Sequence, residues 1–354
     1  MTKRDMNGTK RIRYMVLVTG AIAVCVIVCS LLVGDRARTL IAGSVERSLQ
    51  SVARIREHRA SLVTIVEEPT STLLFVGDIM LSRGVAWRVG KEGGDYTYPF
   101  ARVADRIRSA DLAFGNLEGP ISARGTDQGS AYSFRAAPDA LVGLTGAGFD
   151  ALSLANNHIW DWGQRALIDT IDTLRAERIV PIGAGHDTAE ANAPALFDIK
   201  GTRIGILAFT TLYPRGLEAG VGTPGVSATD RTTMVAAVRA ARQDTDVLIV
   251  SMHWGDEYVP HATAAQQELG HALVDAGADF VIGSHPHVPE PIERYGTGWI
   301  AYSLGNFVFD RGVSDETRKG LMVLVTVRAG DIIDIQEIRT RINDDFQPEI
   351  VQVY

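Results

Sequence analysis

Asp78, Glu118, Asn157, His158, His253, His285 and His287 are all side chains that ligate metals or move protons, and they share one setting. Each stands where a short apolar run ends and a turn marked by glycine or asparagine begins. The densest case is "VIGSHPHV", with His285 and His287 two apart and Pro286 between them. Strand residues two apart face the same way, about 6.5 to 7 Å from each other. The two imidazoles would bind one ion after the bend that proline encourages, or serve two ions about 3.5 to 4 Å apart. Taken alone, a His-x-His says little. Joined by "MHWG" around His253 and "NNH" at Asn157 and His158, it points to a shared cation site.

Each of the other candidates has a plainer role open to it. Asp78 in "FVGDIM" is placed either to ligate a metal or to cap a helix running through "LSRGVAWRV". Asn116 and Glu118 in "GNLEG" are ligand types, and they also suit a turn network. Asn157 offers a carbonyl oxygen and His158 a titratable nitrogen, with Asp161 close enough to orient the imidazole. That pairing suits a general acid tuned by a carboxylate, or else an asparagine turn beside a surface histidine. Trp160, Trp162 and Trp254 fit packing around the site better than ligand stacking, and His186, His261 and His271 lack the strand-end setting.

The elements that must position these residues follow from periodicity. "TLLFVGD", "DLAFGN", "FDALSLANNH", "VLIVSMHWG", "ADFVIGSH" and "WIAYSLGN" predict strands. "GQRALIDTIDTLRAER", "RTTMVAAVRAARQ" and "ATAAQQELGHALVDAG" predict helices between them, and residues 212–230, rich in Gly, Pro and Thr, predict a surface loop. Alternating strands and helices make an α/β layered domain. In such sheets the carboxyl ends of the strands form the ligand crevice, so residues distant in sequence would reach one rim.

The chain has 354 residues, 46% hydrophobic and 22% charged, enough for a sizeable core. Residues 14–34, "YMVLVTGAIAVCVIVCSLLVG", carry no charge and match the roughly 20 residues a membrane-spanning helix needs. A cleaved signal would have a shorter apolar run and a small-x-small site, which "GDRARTL" does not offer, so a retained anchor is expected. Five basic residues precede the span, against Arg36, Arg38 and Arg47 in a comparable length after it. The positive-inside rule then keeps residues 1–13 as a cytoplasmic tail. Beyond the anchor, Ile41, Val45, Leu49, Val52 and Ile55 recur at helical spacing and predict a helical stalk or linker over 35–70. Residues 71–354 are then expected to form the extracytoplasmic domain.

Cys25 and Cys29, the only two cysteines, lie in the span, so no disulfide holds the outer domain. Residues 1–34 carry five basic and one acidic side chain; with −7 on the whole chain, the remainder stands at −11. That charge argues against a nucleic-acid partner.

Eight ordered segments, "FVGDIMLSRGV", "DLAFGNLEGPIS", "YSFRA", "LSLANNHIWDWG", "PIGAG", "MHWGDEY", "DAGADFVIGSHPHV" and "YSLGNFVFD", resemble the CapA/PgsA family of bacterial capsule proteins linked to poly-gamma-glutamate synthesis. That family is more distantly similar to calcineurin-like metallophosphoesterases. The resemblance implies a layered β sandwich flanked by helices, with a one- or two-ion site at strand ends holding Mn, Zn, Fe or Mg. It implies Asp78, Asn157, His253, His285 and His287 as ligands, Asn116 or Glu118 in place of a bridging aspartate, and His158 as the acid assisting a leaving group. Met80 stands where a first-motif histidine is expected, and Asn116 lacks the charge that would hold two cations together. One ion fewer, or a weaker second site, follows.

Two functions lead, ahead of a plain sugar- or peptide-binding surface domain, which fits the topology but leaves the histidines unexplained. One is a metal-dependent phosphoesterase or related hydrolase, with a phosphoester substrate. The other is a membrane-anchored accessory of a capsule polymer synthesis complex that grips an anionic polymer. Arg83, Arg88, Arg124 and Arg135 are its candidate contacts.

Overall fold

Leu73 and Phe75 point to one side of their strand and Leu74 and Val76 to the other, and all four are buried. A strand apolar on both faces must be covered on both faces, and the architecture follows from that. The structure, a computed structural model, describes residues 43–54, 68–213, 216–310 and 313–354.

Two mixed sheets stack face to face. The larger runs in the order β16 (Pro348–Val353), β15 (Asp331–Ile342), β14 (Lys319–Arg328), β1 (Thr70–Ile79), β2 (Leu112–Leu117), β3 (Ala151–Ser153), β4 (Val180–Ile182). β13 (Asn306–Val308) pairs beside the end of β1. The second sheet runs β11 (Ile292–Tyr295), β12 (Gly298–Ala301), β10 (Phe280–Ser284), β9 (Val247–His253), β7 (Thr202–Thr210), β6 (Ala195–Ile199). β5 (Ala184–Gly185) and β8 (Gly225–Val226) form a small separate pair.

Between the sheets, Phe75 packs edge-on against Phe114 and Phe280, with ring centres 6.0 and 5.6 Å away, among Leu73, Ile206, Ile249 and Val325. Each such side chain contributes about 1.5 to 3 kcal/mol by leaving water. On the outer face of the larger sheet, Leu74, Val76 and Leu152 meet Ile107, Leu144, Leu167 and Ile171 from the helices. On the outer face of the second, Leu207, Val250 and Val281 meet Val238 and Leu273. The result is the expected sandwich flanked by helices. Three predicted helices form, Gly163–Ala176, Arg231–Ala241 and Ala264–Asp275, the last closed by a reciprocal Thr263/Gln266 cap.

Some expected strands are shorter. From "FDALSLANNH" only Ala151–Ser153 is strand, because the Asn156 side chain accepts the His158 and Ile159 N–H groups and builds a turn. "WIAYSLGN" splits between β12 and β13, with Gly305 at φ 67 in the break. Residues 212–230 are more than a surface loop: β8 runs through them, and Leu217, Val226 and Ser227 are buried.

Contacts divide the chain into Met1–Glu67 and Glu68–Tyr354. In the first unit, residues 43–54 are helical, with Leu49 and Val52 exposed. The expected span at 14–34 lies outside the described residues, as do the tail at 1–13 and the rest of the stalk up to residue 67. Among the described residues no helix is long and apolar enough to cross a membrane.

Candidate metal centre

β1, β2 and β3 are parallel neighbours in one sheet, and β9 and β10 in the other, so their carboxyl ends open on one rim. Register places Asp78 opposite Asn116 on one side and Asn306 on the other. Asp78, Glu118 and His253 each present a ligand atom within 4.8 Å of the other two, and all three are buried. The three come from separate parts of the chain, and the two sheets bring them together.

Asn116 is spent on orientation. Its Nδ2 donates to Asp78 Oδ1 at 2.8 Å and also to Glu118 Oε2, while its Oδ1 accepts from Asn156 Nδ2. Asn116 therefore aims both carboxylates, and its carbonyl oxygen is already engaged by Asn156. Asn157 stands beside His253, with its Oδ1 2.8 Å from Nε2, and Ser284 Oγ holds the other ring nitrogen at 2.9 Å. Such a second partner fixes the ring orientation.

His285 and His287 do not lie in a strand. β10 stops at Ser284, and both histidines have left-handed backbones, at φ 96 and 60. Strain of this kind at non-glycine residues is held only by its surroundings. The chain turns there, so the same-face spacing expected of a strand does not apply. The rings still converge, 5.8 Å apart, with His285 4.9 Å from His253. His287 Nδ1 lies 3.2 Å from Asp78 Oδ2 and 2.9 Å from Asn306 Oδ1.

His158 Nδ1 is 2.8 Å from Asp161 Oδ2, which also accepts the Phe134 N–H, and His158 Nε2 faces Glu118 Oε1 at 4.0 Å. The Phe134 ring covers the imidazole at 4.2 Å. Asp78 caps no helix. The carboxylate at the helix Arg83–Lys91 is Asp310, which accepts the Gly84 N–H and pairs with Arg83. Met80 is buried, and its sulfur accepts the Ser82 N–H and hydroxyl.

The electrostatics follow from crowding charges in a dry place. Burial and the Asp78 charge push Glu118 up to about 7, against the pull of His158 and His287. Burial and the neighbouring His285 hold His253 well below its ordinary value. Burial and then His287 bring His285 down to about 4. For His287 burial opposes the cation, but the Asp78 hydrogen bond and charge win and raise it to about 9. For His158 burial also opposes, and the Asp161 bond with the Glu118 charge outweighs it, leaving a raised value.

Glu118 Oε1 and His285 Nδ1 are buried and find no hydrogen-bond partner among the described residues. A buried carboxylate oxygen left unpaired is costly. Carboxylate oxygens and imidazole nitrogens with unspent lone pairs suit a divalent ion, so these residues fit one.

A cleft leads to this rim, walled by Arg83, Tyr132, Phe134, Tyr258 and Phe309, with His158, His287 and Asn306 at its base. Of the four candidate arginines only Arg83 lines it. Arg88 pairs with Glu92 and Asp345, Arg124 with Asp169, and Arg135 lies 3.4 Å over the Trp162 ring. Trp254 is packed in the core of the second sheet, its Nε1 donating to the Tyr302 carbonyl. His186 and His271 pair with carboxylates of their own, Asp172 and Glu190 for the first and Glu293 for the second.

Sequence reasoning missed Asn156, Asn306 and Glu257. Asn306 ends "SLGN" in the same strand-end setting as the rest, which was a usable signal. Glu257 presents a ligand atom within 4.8 Å of those of His285 and His287, and nothing in "MHWGDEY" distinguishes it from its acidic neighbour Asp256.

Comparison with known proteins agrees with this fold. A crystal structure described as a novel phosphatase from Mycoplasma pneumoniae superposes with a TM-score of 0.51 at 15% identity, covering 77% of this chain and 94% of that one, which shows the fold alone. The PGA biosynthesis protein CapA of Bacillus subtilis is 34% identical over 67% of this chain and 63% of its own length. The capsule biosynthesis protein CapA of Bacillus anthracis is 32% identical over 77% and 66%. The chain thus spans just under two thirds of those relatives. The family model described as bacterial capsule synthesis protein PGA_cap matches residues 72–311, more than half of the 354 residues, and the chain belongs to that family.

Proposed function

We propose that this chain is a membrane-anchored participant in the synthesis or export of an anionic capsule polymer, poly-gamma-glutamate, and that it binds a divalent metal at the strand-end rim. The observation that carries the metal is the convergence of Asp78, Glu118 and His253 within 4.8 Å, with the buried Glu118 Oε1 finding no hydrogen-bond partner among the described residues. Family membership supports the polymer. The expected anchor at residues 14–34 keeps the protein at the cell membrane, its amino terminus cytoplasmic and its main domain outside, alongside other subunits of the polymer machinery.

The chain beyond residue 34, at −11, repels a polyanion, so attraction must be local. Arg83 supplies it at the cleft wall, held by Asp310 and lying 5.2 Å from the centre of the Phe134 ring. A bound divalent ion supplies the rest, as positive charge that meets a carboxylate or polarises a phosphoryl oxygen.

A second reading, a metal-dependent phosphoesterase or related hydrolase, is favoured by one observation, the His158 and Asp161 pair at 2.8 Å. Asp161 holds Nδ1 and keeps the ring charged toward higher pH, so Nε2 faces the rim as a proton donor for a leaving group.

The two readings part on one experiment. Full-length protein in detergent is offered labelled poly-gamma-glutamate with and without chelator, and separately a generic phosphodiester. Binding that chelation and Arg83→Ala both weaken supports the polymer role; binding indifferent to both refutes it. Metal-dependent turnover abolished by His158→Ala and His253→Ala supports the hydrolase, and turnover surviving both variants rules that mechanism out.

A further inference from the structure

The register of β14 and β15 sets Lys319 opposite Arg341 and Leu321 opposite Arg339. Strand residues two apart share a face, so these four side chains lie together. Leu321 belongs to the core between the sheets, which turns that face toward the second sheet. Between it and residues 289–292, which lead into β11, runs a groove of about 610 Å3. Small-molecule sites occupy about 300 to 1,000 Å3. The groove shares no wall residue with the cleft that leads to the metal rim.

Like charges directly across two strands repel, and two of the three cations here are neutralised. Asp315 pairs with Arg341, and Glu316 with Lys319. Arg339 pairs with no carboxylate among the described residues; it is exposed, with its guanidinium 4.7 Å from the centre of the Tyr354 ring. The opposite charge stands in another wall. Glu290 is 3% exposed, its Oε2 accepts from Gln266 Nε2 at 2.8 Å, and its Oε1 finds no partner among the described residues. Burial, with the Asp256 charge, pushes this carboxyl up to about 7 against the pull of the Gln266 bond. A buried oxygen left so calls for a donor. Glu316 and Glu337 add negative charge to the walls, which disfavours a ligand that is anionic throughout. The chemistry left over is one guanidinium for a carboxylate, one carboxylate for an ammonium, and the aliphatic Leu321 and Ile292 for methylenes.

We infer that this groove binds the free amino end of the polymer, with the terminal ammonium on Glu290 and the carboxylate beside it on Arg339. In a gamma-linked chain the first residue alone carries both charges; every later residue offers a carboxylate and an amide. Recognition of both groups therefore tells an end from the middle, a mode used elsewhere for capturing chain termini. For the identity of its ligand the inference rests on the polymer reading above, but it places the contact away from the metal rim.

The test is equilibrium dialysis of the full-length protein in detergent against radiolabelled gamma-glutamyl-glutamate, in its L and D forms, with chelator throughout so that no metal takes part. Saturable binding of at least one form is expected. Arg339→Gln, at an exposed position, and Glu290→Gln, which keeps the shape and the Gln266 contact, should each weaken it tenfold or more, with circular dichroism melts confirming that both variants fold. The N-acetylated dipeptide, which lacks the ammonium, should fail to compete. Absence of saturable binding, equal competition by the N-acetylated dipeptide, or binding that either folded variant leaves unaltered overturns the groove. The polymer reading survives such a result if labelled polymer still binds in a manner that chelation weakens, and it fails by itself if the dipeptide binds as expected while the polymer does not.

Discussion

His287 Nδ1 lies 3.2 Å from Asp78 Oδ2, and this contact puts a proton where a metal would otherwise compete for the carboxylate. In the metal-free chain His287 is raised to about 9, above its unfolded value near 6.5. The stability it contributes is complete below pH 6.5 and is lost as pH rises through 9. The metal-free protein should therefore lose melting temperature across that window through this group, and His287→Asn should flatten that part of the slope. A slope identical in both proteins would show the contact to be inert.

Metal binding should release protons from the same place. Glu118 near 7 and His287 near 9 both hold protons that a cation displaces, so affinity rises with pH between 6.5 and 9. Calorimetry in two buffers of different ionisation enthalpy reads the number released. Equal heats in both buffers would mean that neither group is displaced.

Asp161 keeps His158 charged toward higher pH than burial alone allows. Asp161→Asn should lower the His158 pKa, visible in an NMR titration of the imidazole, and should cost some 10²- to 10⁴-fold in any turnover that uses it as an acid. An unmoved titration would leave Asp161 with only the Phe134 N–H to hold.

Gly77 allows no side chain, because a Cβ there would stand 1.8 Å from the Gly305 carbonyl oxygen. Gly77→Ala must push β1 away from the segment that leads into β13, costing about 1 to 3 kcal/mol or more. Since Asp78 is the next residue, metal affinity should fall with stability. By contrast, Phe75→Ala, deep between the sheets, should cost about 3 to 5 kcal/mol while the folded fraction keeps its metal affinity.

The ends of the parallel strands made the site legible in the sequence. Asp78, Glu118 and His253 all close apolar runs, and such runs can only be buried strands whose ends share a rim. What periodicity could not show was what happens past those ends. His285 and His287 leave β10 into a left-handed turn, and no rule of alternation describes that backbone. Glu257 reaches them through a single main-chain hydrogen bond from Tyr258, which has no signature in residue type. Asn116 was legible as a site residue, but its role depends on where its amide points, and only the register with Asp78 decides that. Residues 212–230 misled because their glycines and prolines mask the buried Leu217 and Val226.

β16 closes one margin of the larger sheet, pairing with β15, and Val351 and Val353 on it are more than half exposed. Among the described residues no further strand pairs with it, and a greasy edge of this sort is a template on which stray chains add. Handling of the purified protein at high concentration will be limited by that lip, and Val351→Lys should raise the concentration at which light scattering first detects clumping.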